Sequence, residues 1–121
     1  MGNALTGHVI LIVDPQVDRF VLDLQAALER RGAETLVVHE PARALERIRE
    51  FRFSAGVLSY DHASDALCAL IGDLSHLAIL LYGDENAAAA ATRKVPHLPF
   101  AQPDVSSIVG ALARLLGPAR S

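Results

Sequence analysis

Apolar positions along the chain fall into two kinds of block that alternate. Short, nearly continuous apolar runs are followed by stretches in which apolar residues return every three or four positions. "HVILIV" (His8 to Val13) is of the first kind, rich in β-branched residues and ending at Asp14. Such a run predicts a strand covered on both faces. Val17, Phe20, Val21, Leu24 and Leu28 then recur at helical spacing, with Gly32 placed to end the helix.

The unit repeats. "TLVVHE" (Thr35 to Glu40) predicts a second strand, and Pro41 opens a helix with Leu45, Ile48 and Phe51 on one stripe. "AGVLSY" gives a third strand, followed by a short helix over "SDALCALIGDL" that Ser64 or Asp65 would cap. "LAILLY" is the fourth strand. The alanine run Ala87 to Ala91 then predicts a short helix with little apolar bulk and shallow packing. "VPHLPF" reads as a fifth strand, at a sheet edge because Pro96 cannot donate to a ladder. The last helix starts at Pro103 and Asp104, carries Val105, Ile108, Val109, Leu112, Leu115 and Leu116 on one face, and stops at Gly117-Pro118. Five β-α repeats joined by short connections imply right-handed crossovers and a parallel sheet with helices on both faces, an α/β doubly wound (βα)5 domain.

Length sets the scale of that domain. With 121 residues and 12.9 kDa the chain, residues 1–121, fits a single domain. A hydrophobic fraction of 51% fills a core and excludes a disordered chain. The formal net charge of -3 provides no broad basic field, so nucleic acid is not an expected partner. The apolar runs are far shorter than the roughly 18 to 20 residues of a bilayer-spanning helix, and "MGNALTGH" has no charged, cleavable leader pattern. A cytoplasmic protein that makes no membrane contact is the expectation.

In an open parallel sheet, ligands bind beyond the carboxyl ends of the strands. Those ends are Asp14-Pro15, Glu40, Ser59-Tyr60-Asp61, Tyr82-Gly83-Asp84 and Leu98-Pro99-Phe100. Asp14 and Asp61 are expected near one another. No glycine-rich phosphate cradle follows the first strand, which removes the dinucleotide and P-loop classes. His8, His39, His62, His76 and His97 show no zinc spacing; His62, next to Asp61, is the one that could titrate beside an acid. Ser59, His62 and Asp14 could be assembled into a hydrolytic triad, but no nucleophile-elbow motif supports one. The single cysteine, Cys68, reads as a small core residue.

The order of elements, "ILIVDPQVDRFVLDLQAALERRG" near the start and "LPFAQPDVSSIVGALARLL" near the end, resembles the receiver domain of bacterial two-component response regulators over nearly the whole chain. The resemblance implies sheet order 2-1-3-4-5, a phosphoryl-accepting Asp after strand 3, and acidic residues after strand 1 that hold Mg²⁺. Clustered carboxylates suit that hard cation, and a lysine and a hydroxyl would grip the phosphoryl oxygens.

This chain departs from the pattern at several points. Asp14 is followed by Pro15 where the family usually has a second acid. Aligned on strand length, the acceptor position falls on Ser59; aligned on the acid, it falls on Asp61. Tyr82 stands at the family's Ser or Thr, and Leu98 at its lysine.

The reading is therefore an atypical receiver, a non-enzymatic signal-transduction module acting through protein contacts without phosphorylation. Its expected partner is a histidine kinase or an output domain, or a second copy through the fourth helix, fifth strand and fifth helix. No cofactor is expected. The alternative is a phosphorylatable receiver that uses Asp61 as acceptor, with Asp14 and Asp61 holding Mg²⁺. A small hydrolase or transferase at the same strand ends is the third reading.

Overall fold

The computed structural model describes residues 5–16, 18–60, 69, 71–74 and 77–116. Asp61, His62, Cys68, His76 and most of the expected third helix lie outside the described residues, as does the Gly117-Pro118 stop. Five strands are present: β1 (Val9–Val13), β2 (Glu34–Val38), β3 (Ala55–Ser59), β4 (Ala78–Tyr82) and β5 (Phe100–Ala101). Four helices are described over their length: α1 (Arg19–Arg30), α2 (Pro41–Glu50), α3 (Glu85–Lys94) and α4 (Val105–Leu116). All neighbouring strands pair in parallel, in the order β2-β1-β3-β4-β5 expected from the sequence.

The interior strand β1 is covered on both faces, which is why it could be apolar throughout. Ile10 and Ile12 pack with Val57 and Leu80 beneath Val21, Leu24 and Leu28 of α1 and Ile108, Val109 and Leu112 of α4. Leu11 and Val13 face the other way, with Leu58 and Leu81, against Ala44 of α2 and Ala87 and Ala91 of α3. Fully burying each of these aliphatic side chains is worth about 1.5 to 3 kcal/mol, so the two layers supply the driving force for the fold.

Local chemistry sets the helix ends. Asp18 caps α1 by accepting from the Val21 N–H at 3.3 Å. At the other end Gly32 adopts a φ of 95°, while its N–H and that of Ala33 close on the Glu29 and Leu28 carbonyls. That is a Schellman stop, and it requires a residue tolerant of positive φ. A Cβ at Gly32 would also collide with Thr6 Oγ1, so glycine is needed twice over.

Three details differ from the sequence reading. The alanine helix α3 runs for ten residues, because Asp84 caps it through the Ala87 N–H at 2.9 Å and small Ala87 and Ala91 let it sit directly on the sheet. Strand β5 is Phe100–Ala101 and not Val95–Phe100: Val95 still bonds back to Ala91 at the end of α3, and Leu98 N–H bonds to the Val95 carbonyl in a turn. Leu115 of α4, expected on the buried face, is 42% exposed.

Candidate functional site

The carboxyl ends of β1, β3 and β4 form one row across the sheet. Ser59 pairs with Tyr82 as the last residues of β3 and β4, and Leu58 pairs with Val13, so Asp14 continues β1 at the level of Ser59. Backbone bonding carries on through this level, with Asp14 N–H donating to the Val38 carbonyl at 3.1 Å and Tyr60 N–H to the Tyr82 carbonyl at 2.8 Å. Side chains alternate along strands, so Asp14, Ser59 and Tyr82 share the face of Ile12, Val57 and Leu80, beneath α1 and α4.

Tyr82 crosses the small Ser59 to reach Asp14. Its hydroxyl donates to Asp14 Oδ2 at 2.5 Å, and the other carboxylate oxygen, Oδ1, accepts from the Gln16 N–H at 2.8 Å. Asp14 is only 8% exposed and Tyr82 only 3%. The phenol ring is held by Phe20 of α1, centroid to centroid 5.6 Å. A buried carboxylate is costly unless hydrogen-bonded, and here both oxygens are bonded within the fold.

The electrostatics agree with a fixed proton. Burial raises the Tyr82 hydroxyl far above the ordinary tyrosine value, the hydrogen bond to Asp14 and its charge raise it further, and the Ser59 hydroxyl acts weakly in the opposite direction. Asp18, the cap of α1, adds a smaller upward push. Tyr82 is therefore a proton donor to Asp14 across the whole range near neutrality.

Magnesium needs several oxygen ligands in near-octahedral array, and Asp14 as placed does not offer one. A metal at Oδ2 would have to share that oxygen with the Tyr82 hydroxyl, and Pro15, exposed beside Asp14, carries no second carboxylate. Among the described residues no group of three or more His, Cys, Asp or Glu is arranged to hold a metal ion.

Other positions from the sequence reading fall as follows. Ser59 is half-buried in the row, between Asp14 and Tyr82. Leu98 lies in the turn before β5 and packs against the layer on the α2 and α3 side. The residue that leaves β5 is Gln102, followed by Pro103, so the strand exit lies four residues beyond Leu98. Asp61 lies outside the described residues.

The sequence reading missed two features. It did not foresee the bond between the Tyr82 hydroxyl and Asp14, although the parity of Asp14, Ser59 and Tyr82 along strands of equal length, with a small residue between two larger ones, could have shown the contact. It also missed a groove of about 600 Å³ outside the β4 and β5 ends, bounded by Asp84, Glu85, Phe100, Gln102 and Asp104. Asp104 accepts from both the N–H and the hydroxyl of Ser107 at 2.8 Å, and these bonds hold its carboxyl below the ordinary range.

Gly83 allows the turn between Tyr82 and α3. A Cβ there would stand 2.8 Å from both the Tyr60 carbonyl oxygen and the Ala87 Cβ. Only glycine lets α3 begin this close to β3.

No family model and no curated protein matches the chain. Solved structures do. The chain is similar to a signal receiver domain of an HD domain-containing protein from Pseudomonas fluorescens Pf-5, at 16% identity and TM-score 0.72 over 90% of this chain and 94% of that one. It is similar to the chemotaxis protein CheY4 of Vibrio cholerae, at 15% identity and TM-score 0.72 over 92% of this chain and 100% of that one. A sensor protein from Polaromonas sp. JS666 superposes with TM-score 0.73 at 22% identity, over 91% of this chain and 96% of that one. With the strand order β2-β1-β3-β4-β5, these likenesses establish that the chain has the fold of a response regulator receiver domain.

Proposed function

We propose that the protein is a receiver-fold signalling module that acts by protein contact and does not run a Mg²⁺-dependent phosphorylation cycle. The observation that carries this reading is the Tyr82 to Asp14 hydrogen bond, which ties the acid at the end of β1 to a bulky phenol inside the fold. Supporting it, Pro15 takes the place of a second acid and Gln102, an uncharged amide, leaves β5. An amide can accept or donate a hydrogen bond but brings no positive charge to a phosphoryl group.

In this role the module presents surfaces to a kinase, an output domain or a second copy. The groove bounded by Asp84, Glu85, Phe100 and Asp104 lies on the side formed by α3, β5 and α4, where the resemblance implies partner contacts. The reading includes no enzymatic turnover and places the protein in the cytoplasm. No described helix is long and apolar enough to cross a membrane.

The experiment is exposure of the purified chain to a small-molecule phosphodonor with Mg²⁺, followed by intact-mass measurement at short times. The proposal expects no added phosphoryl mass. A phosphoryl adduct lost on Asp61→Asn would replace it with the phosphorylatable reading.

A further inference from the structure

Strand β2 is one edge of the sheet, with β1 as its one neighbour. Backbone bonding shows which of its peptide groups point outward. Glu34 N–H donates to the His8 carbonyl at 2.9 Å, and the Val38 carbonyl accepts from Asp14 N–H at 3.1 Å, so Glu34 and Val38 turn their peptide groups toward β1. Peptide direction alternates along a strand, so Leu36 does the same while Thr35 and Val37 turn theirs outward. Among the described residues, no backbone group bonds to Thr35 or Val37 from that outer side.

An open edge of this kind is normally blunted by a lysine, a proline or a bulge. The five residues of β2 include none of these: they pair with β1 in unbroken register, and their single charge, Glu34, stands at the first position. Leu36 and Val37 are only partly covered, Leu36 on the α2 side and Val37 on the α1 side. A second observation lies on α1. Glu29 accepts from Thr35 Oγ1 at 3.0 Å in an exposed bond, which marks the side of α1 that overlooks the edge. Leu22 stands two turns before Glu29 on that same side, and it is 54% exposed, more than any other large apolar residue described.

We infer that β2 pairs antiparallel with β2 of a second copy of this chain about a two-fold axis. The register follows from parity and charge. Thr35 of each copy lies opposite Val37 of the other, and each of these outward-pointing pairs exchanges two N–H···O bonds. Leu36 then faces its own counterpart and Glu34 faces Val38, so no like charges are opposed. Slipping the partner by two residues one way sets Glu34 opposite Glu40; slipping it the other way calls on the Ala33 N–H, already spent on the Leu28 carbonyl. A two-fold contact uses the same edge on both copies, so association stops at two. The product is a ten-stranded sheet with β5 at each end, which leaves both sets of α3, β5 and α4 open to other partners. This edge is separate from the Asp84, Glu85 and Asp104 groove, and the inference holds whether or not the Asp14 row takes part in phosphorylation.

The test is sedimentation of the whole chain over a wide concentration range, with amide hydrogen exchange measured at both ends of it. The expected result is a mass that rises from 12.9 kDa to twice that and no further. Exchange at the Thr35 and Val37 amides should slow by roughly tenfold or more in the concentrated sample, while Leu36, bonded to β1, is protected in both. Val37→Pro removes an outward N–H that β1 does not use and should hold the chain at the monomer mass. Leu22→Lys, outside the core, should weaken association by roughly tenfold, as loss of a leucine contact requires. Glu85→Arg, exposed beside the β5 groove, should leave the dimer intact. If Val37→Pro does not fold, Leu22→Lys and the exchange pattern decide. A monomer at every concentration, growth past two copies, a dimer unaffected by Leu22→Lys and without slowed exchange at Thr35 and Val37, or a dimer lost on Glu85→Arg overturns the inference. A chain that stays monomeric but protects Thr35 and Val37 when an alternating Thr-Val peptide is added has an edge for another protein's strand, and that result also overturns it.

Discussion

The Tyr82 hydroxyl reaches across β3 and donates to Asp14 Oδ2, joining the ends of two strands that are not neighbours in the sheet. This bond links stability to the proposed function: it satisfies a buried carboxylate, and on the proposed reading it also ties that carboxylate to the fold in place of a cation. Breaking it therefore has both a thermodynamic and a chemical consequence.

Tyr82→Phe keeps the ring against Phe20 and removes only the hydroxyl. A hydrogen bond to a charged group contributes about 1.5 to 3 kcal/mol, and among the described residues Asp14 would be left with one partner, the Gln16 N–H. Urea unfolding should show a loss of that size. Paired with Asp14→Ala in a double-mutant cycle, the two changes should couple by about 1 kcal/mol or more, because they remove the same bond.

Alkaline pH gives an independent reading of the same contact. Burial first and the Asp14 bond second raise the folded-state value of Tyr82, so its contribution is complete below the unfolded value of 10.0 and declines as pH rises above it. The unfolded chain then loses a proton that the folded chain retains, which costs up to about 1.4 kcal/mol of stability per pH unit. The difference in unfolding free energy between wild type and Tyr82→Phe should shrink from pH 10 upward, and a constant difference would show that the hydroxyl is not held as described.

The receiver fold was legible in the sequence because β1 needed Val9 to Val13 apolar on both faces, and because each helix carried its own start or stop, as at Asp104 and Gly32. What was not legible had specific causes. Pro96 and Leu98 sit in an apolar stretch that looks like a strand, yet Val95 is captured by the end of α3 and only Phe100 and Ala101 pair with β4. The Asp14 to Tyr82 contact depends on register between strands, and a one-residue slip would have sent Tyr82 to the opposite face. Leu115 shows that helical periodicity overestimates burial at a helix end.

Two glycines on helical elements or their approaches separate packing from propensity. Gly83→Ala should cost about 1 to 3 kcal/mol, since the added carbon meets the Tyr60 carbonyl oxygen and Ala87 at 2.8 Å. Gly110→Ala meets nothing closer than Arg114 Nη1 at 3.6 Å and should stabilise α4 by about 0.5 to 1 kcal/mol. Thermal unfolding of the two variants should move in opposite directions.

The central claim is that Asp14 is closed to a cation by Tyr82. Amide NMR during addition of Mg²⁺ and then beryllofluoride, on wild type, Asp61→Asn and Tyr82→Ser, tests it most directly. The account predicts no saturable shifts at Asp14, Ser59, Tyr82 or Gln102 in the wild type, and Mg²⁺-dependent shifts at Asp14 once Tyr82 is cut back to Ser. Saturable wild-type shifts at Asp14 and β5 that vanish in Asp61→Asn would contradict it.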